Sequence, residues 1–233
     1  MDQQEFVWEY SEAGDLEVRV PVDVIMLPAQ TATFKGVTVA LPITLMVGIA
    51  GVGMVDLMTE VHRLPLYSRH GPCILRSLYG INRFGGWTAY PWNDLLHSLS
   101  VYTLVHQRGG NDHEQLAALC HDLAEGCGLN DLMSPVKRLL PAYSALEKVV
   151  ERQLEKTHRF NISAYSMWKT ADHDMFVAEA FAAQGLVRGT LDPLALATHE
   201  TIRDQYITSD FITQADAFRC VLMALHHNIG QAG

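Results

Sequence analysis

LCHDLAEGCG, residues 119–128, sets a histidine and an aspartate side by side in an apolar run that closes on glycines. Neighbours on a helix point about 100° apart, so His121 and Asp122 can both lean toward one point at a helix edge. Glu125 lies four residues after His121 and three after Asp122, on the same face. Leu119, Leu123 and Ala124 would hold that helix in a core. Charge bordering a buried face is costly unless it is paired or bound to a metal ion. The run therefore predicts a packed helix with a polar cluster at its rim.

Outward from this point the period is helical from about residue 70. Asn93 predicts the cap of a helix over 94–107, which carries His97 among Leu96, Val101 and Leu104. Asp112 with Gln115 makes a capping-box pattern ahead of LAALCHDLAEG, with a stop at Gly126 or Gly128. Pro141 opens AYSALEKVVERQLEKTH. Ser163 can cap a helix running to Gln184, with Gly185 as its stop. Asp192-Pro193 starts another helix, and residues 213–227 form the last. Lys169-Thr-Ala-Asp172 precedes an apolar helix on which Glu179 shares a face with Asp172 and Phe176. Four helices converging would bring two imidazoles and two carboxylates together, and mixed N/O ligation suits Zn²⁺, Mn²⁺, Fe²⁺, Co²⁺ or Ni²⁺. A His-Asp pair alone says little in a chain with 11 His and 26 acidic residues, which has a second such pair at His173-Asp174. His106, His158, His199 and His226-His227 have no ligand partners at useful spacing and read as structural or surface residues.

The order His97…His121-Asp122…Asp172 resembles the H…HD…D signature of HD-domain metal-dependent phosphohydrolases. The likeness is closer to the 5′-deoxynucleotidase branch and its phage relatives. INRFGG at 81–86 resembles that group's Arg-containing segment, HDLAEG at 121–126 its HDxxE, and DLMSPVK at 131–137 its acidic-Pro-Lys loop. YSALEKVVERQL at 143–154 resembles the following helix, and KTADHDMFVAEA at 169–180 the last motif. The resemblance spans roughly residues 75–182. The chain departs from the pattern at Phe84, where Trp is usual, at Trp87, where the phage type has His, and at Leu96, where Glu or Gln is common. The loop from Glu125 to Asp131 is one residue longer.

The resemblance implies a mainly α HD-domain helical bundle that hydrolyses the 5′ phosphate ester of deoxynucleotides. The substrate is a dNMP, giving a deoxynucleoside and phosphate, or a dNTP such as dATP, releasing triphosphate. A nucleotide-binding or assembly protein of weak activity is the alternative from another class. His97, His121, Asp122 and Asp172 are the implied ligands of a divalent ion (Mn, Co, Zn, Fe, Ni or Mg), with Asp174, about 200° round the helix from Asp172, as the rival for the last place. Glu125 and Asp131 would orient or deprotonate the attacking water. Arg83 would hold two phosphate oxygens with its planar guanidinium, beside a Gly85-Gly86 turn that lets backbone approach a ligand. Lys137 is a phosphate or loop-anchoring candidate. Phe84 and Trp87 belong to the substrate side; Trp87 and Trp92 either stack on a base or pack against the N-terminal arm.

The length of 233 residues and 48% apolar content suffice for one domain with an extension. A formal net charge of −9 argues against binding a nucleic-acid polymer. The four cysteines, Cys73, Cys120, Cys127 and Cys220, lack CxxC spacing and read as reduced. With no basic leader in MDQQEFVWEY, a cytoplasmic protein is expected. Residues 36–55 carry no charge, yet alternate from Val37 to Ile49 with period two and hold Pro42, Gly48, Gly51 and Gly53, which argues for a strand over a membrane span. Residues 16–26 alternate as well, so the two segments are expected to pair antiparallel in a β-hairpin extension over 1–55, ahead of the helical domain at 56–233. No chemistry is visible in the arm. It is expected to cover the domain or to make an oligomer contact, and the chain is expected to be a homo-oligomer.

Overall fold

The structure, a computed structural model, describes residues 7–10, 16–19, 30–34, 37–41, 44–49, 52–132, 134–137 and 139–231. It is mainly helical, with short β-hairpins toward the N-terminus, as the sequence leads one to expect. Six strands form three local antiparallel pairs: β1 (Val7–Tyr10) with β2 (Leu16–Arg19), β3 (Gln30–Phe34) with β4 (Val37–Leu41), and β5 (Met46–Ile49) with β6 (Gly53–Asp56). The expected pairing of residues 16–26 with 37–49 is not what forms among the described residues. Each alternating segment pairs with its nearest neighbour in sequence, because a short turn costs less closure entropy than a long loop. Residues 20–26 lie outside the described ones.

The hairpins nearest the helices are stitched to them. Asp56 closes the end of β6: its Oδ1 accepts from the backbone amides of Leu45 (2.8 Å) and Met58 (3.0 Å). Leu41 packs with Met58 and Ala145, and Val47 and Ile49 lie against the main core. Among the described residues no helix is long and apolar enough to cross a membrane.

Among the described residues eight α-helices follow: α1 (Ile74–Gly80), α2 (Asp94–Gln107), α3 (Asp112–Cys120), α4 (Ser134–Lys137), α5 (Pro141–His158), α6 (Met167–Gln184), α7 (Pro193–Tyr206) and α8 (Phe211–Gln231). Their ends follow the expected signals with two shifts. Asn93 caps α2 by accepting from the Leu96 amide, and Asp192 caps α7 by accepting from Leu194 and Ala195. Gly185 ends α6. The capping box of α3, however, is Asn111 with Glu114, one residue before the expected pair. Ser166, not Ser163, precedes α6, and the Ser163 hydroxyl instead bonds Asn161.

Helix α2 is the axis of the bundle. It contacts α1, α3, α6, α7 and α8, and residues 94–101 are all buried. Alanines at 118, 171, 178 and 195 let α3, α6 and α7 come close to Val101, Leu104 and Val105. The α3 segment tightens after Cys120 into turns and a 3-10 helix at Glu125–Cys127, ending at Gly128 in the left-handed region (φ 100°). Gly126 meets α1 there: a β-carbon on it would lie 2.8 Å from the Ile74 carbonyl oxygen and 2.9 Å from Leu78. Gly126→Ala is accordingly expected to lower stability by about 1–3 kcal/mol, read as a reduced urea midpoint.

Candidate metal centre

Three elements, rather than the four helices expected, bring the predicted ligands together. α2 supplies His97, the end of α3 supplies His121 and Asp122, and α6 supplies Asp172. His121 Nε2 lies 3.1 Å from Asp122 Oδ2 and 3.8 Å from Asp172 Oδ1. His97 Nε2 lies 3.1 Å from Asp172 Oδ1 and 3.6 Å from Asp122 Oδ2. Donors about 2.1 Å from one ion and 90–109° apart are separated by about 3.0–3.4 Å; two of these separations fall in that range and the other two lie just beyond it.

The proton positions fit the same reading. His121 Nδ1 donates to the Ala118 carbonyl (2.8 Å), which turns Nε2 toward the carboxylates. That nitrogen is buried and has no hydrogen-bond partner. His97 Nδ1 donates to Glu179 Oε1 (2.7 Å), so its Nε2 also turns toward the carboxylates. Two imidazole nitrogens and two carboxylates aimed at one point need positive charge there, as protons on the rings or as a metal ion that takes their place. His97, His121 and Asp172 are close enough together to hold a metal ion, with Asp122 beside them. Burial pushes the Asp122 and Asp172 carboxyls up, but the two imidazoles outweigh it and hold both well below the usual carboxylate range. Burial and Arg83 push His97 down, yet Glu179 and Asp172 carry it up to about 9. The Asp172 side chain is 37% exposed and forms the open side of the centre; the His97 side chain is fully enclosed.

Asp174 is not part of this group. It faces Arg108 (2.6 Å), which also holds Asp192 and so ties α2 to the start of α7. The two residues point apart because they sit about 200° apart on α6. Asp174→Ala should leave metal content unchanged and shift stability by no more than about 1 kcal/mol, as for other partly exposed pairs; metal analysis beside a thermal melt checks both.

Arg83 is placed at the centre but not as a free phosphate clamp. Its backbone amide bonds the Trp92 carbonyl (2.8 Å), and Asp94 N bonds the Ile81 carbonyl, pinning the 81–83 segment to the start of α2. Its Nε donates to Glu179 Oε2 (2.9 Å) and its Nη1 to Asp94 Oδ1 (3.3 Å), with Asp122 Oδ2 3.9 Å away. Only Nη2 has no partner among the described residues. Buried carboxylates thus engage Nε and Nη1, and Nη2 is the nitrogen left open to a further partner. Lys137 is likewise committed, to Glu125 (2.7 Å) and Glu147 (2.9 Å), and so serves as an anchor.

Glu125 turns away from the imidazoles and joins Asp131 and Asp94, one oxygen of each lying within 4.8 Å of the others. Burial first, then the neighbouring Asp122, Asp94 and Asp131, push the Glu125 carboxyl well up against Lys137. Burial raises Asp94 to about 7 although Arg83 opposes it. The half-exposed Asp131 is positioned by the Tyr143 hydroxyl, 2.6 Å from the carbonyls of both Leu129 and Asn130. Asp94 went unpredicted because an acid at the first position of a helix reads as a partner of the helix dipole.

Of the aromatic candidates, Phe84 rests on Phe176 (5.6 Å between centroids) one turn beyond Asp172, with its backbone left-handed at φ 57°. Trp87 is 83% exposed and touches α6 through its carbonyl, which accepts from Gln184. Trp92 is no base platform: it is wholly buried against His199 at 4.3 Å. His199, read as structural, is buried and bonds the Tyr90 hydroxyl (2.7 Å). All four cysteines are free. No protein-family model matches the chain, and no curated protein is significantly similar to it.

Proposed function

We propose that this chain is a metal-dependent phosphohydrolase of the HD type acting on the 5′ phosphate ester of deoxynucleotides. The observation that carries the reading is the convergence of His97, His121, Asp122 and Asp172 on one point with both Nε2 atoms turned inward. A bound divalent ion of the Mn, Co, Zn, Fe, Ni or Mg set would supply Lewis acidity and an acidified water. The chain's own groups do the rest. Glu179 holds the His97 ring and Arg83 in place, Arg83 offers Nη2 to a phosphate oxygen, and Glu125 with Asp131 moves protons at the water and at the leaving sugar oxygen.

The charge around the centre supports the monophosphate as substrate. Arg83 and Lys137 are already paired, and a triphosphate would bring further negative charge among these carboxylates. The test is a panel of dNMPs and dNTPs with each divalent ion in turn, scored for phosphate and triphosphate. Phosphate from dNMP is the expected result. Triphosphate from dNTP selects the other enzyme, and absence of both metal and turnover leaves a binding or assembly protein.

A further inference from the structure

The acidic group beside the His/Asp centre has chemistry of its own. Asp94 is fully enclosed and Glu125 nearly so, while Asp131 is half-exposed. One oxygen of Asp94 accepts from Arg83 and one of Glu125 from Lys137. The remaining oxygens, Asp94 Oδ2 and Glu125 Oε2, are buried without any hydrogen-bond partner. Orphaned carboxylate oxygens in a dry interior are strongly disfavoured, and nothing among the described residues satisfies these. The three residues come from three places held rigidly together: the first turn of α2, the turn after α3, and the loop that Tyr143 pins.

We propose that Asp94, Glu125 and Asp131 form a second site, for a hard divalent cation of the Mg²⁺, Mn²⁺ or Ca²⁺ class. Their oxygens, up to 4.8 Å apart, have the separations expected across an ion with bonds of about 2.1–2.4 Å. The donor set is all oxygen, whereas the His/Asp centre is half nitrogen, so the two sites differ in the ions they prefer. Asp122 lies between them in the chain and in charge: it faces both imidazoles and comes within 3.9 Å of Arg83, which holds Asp94. Asp94, Asp122, Asp131 and Glu179 lie about Arg83, and Glu125 and Glu147 hold Lys137. An ion held by Asp94, Glu125 and Asp131 would add positive charge on the side of the chamber that a phosphate must enter. The cation site itself does not depend on the proposed hydrolysis, but its use by substrate does.

Metal-stripped protein titrated with Mn²⁺ alone, by calorimetry and by equilibrium dialysis with elemental analysis, decides the matter. Wild type is expected to bind two ions per chain. Asp131→Asn, at a half-exposed position that keeps the fold, should bind one tightly and the other at least about tenfold more weakly. Asp94→Asn should behave alike if its melt shows it folded. His121→Ala should lose the other ion and keep the one that Asp131→Asn weakens. Two ions of unchanged affinity in Asp131→Asn overturn the proposal. A single wild-type ion that His121→Ala abolishes overturns it too, while leaving the His/Asp centre intact. A single ion that survives His121→Ala but not Asp131→Asn supports the acidic site and removes the His/Asp reading instead.

Discussion

Asp122→Ala is expected to lose bound metal and phosphate release together, with kcat/KM falling by about three orders of magnitude or more. Asp122, like Asp172, faces both imidazoles, at 3.1 Å from His121 and 3.6 Å from His97, and is the more enclosed of the two. Removing it takes away one donor and the negative charge that draws a cation into a buried pocket. Withdrawing the positive charge opposite the reacting oxygens costs far more than losing one hydrogen bond, which alone costs about 10²–10³. Metal content of the purified variant and turnover on a dNMP are the readouts. Turnover within tenfold of wild type would sink the phosphohydrolase reading. Asp122→Asn, which keeps the shape, separates charge from packing and should still fail to hold metal.

Glu179→Ala should destabilise the fold by about 3–5 kcal/mol, the cost of leaving a buried charge without its partner. Glu179 is completely enclosed and bonds Arg83 Nε at 2.9 Å and His97 Nδ1 at 2.7 Å. Its loss leaves the guanidinium with Asp94 at 3.3 Å and Asp122 at 3.9 Å, and takes the partner from His97 Nδ1. The pH dependence has a definite sign. Burial pushes the Glu179 carboxyl up, but Arg83 and His97 outweigh it and hold it at about 2. A depressed carboxyl stabilises the folded state above its ordinary value of 4.5, and that contribution is lost as pH falls through about 2. The stability gap between wild type and Glu179→Gln should therefore be full at pH 6 and narrower at pH 3. Urea titrations at the two values give the comparison, and a gap that widens on acidification would contradict the assignment.

Helix ends were legible where one residue does one job. Asn93, Pro141, Asp192-Pro193 and Gly185 each mark a boundary that the structure keeps. The cap of α3 slipped by one because NDHEQ offers two candidates in a row: Asn111 and Asp112 can both accept, and Glu114 and Gln115 can both close the box. The four groups at the His/Asp centre were legible from their order along the chain. The choice between Asp172 and Asp174 was not: the sequence puts them 200° apart on one helix without saying which face turns inward, and the structure sends Asp174 to Arg108. Nor were the engagements of the cations. Arg83 meets Glu179 across 96 residues, and no local pattern announces a partner so far away. Trp92 failed as a base platform for a similar reason: its burial against His199 comes from α7, more than a hundred residues on.

Helix α2 lies among five other helices with nearly every residue of its first two turns enclosed. Its amide protons can meet solvent only when the surrounding helices part, so their exchange with deuterium should report opening of the whole molecule. His97 rides on that helix. The geometry around its imidazole is thus as durable as the native state itself, and local breathing of neighbouring loops can admit a ligand without unsettling it.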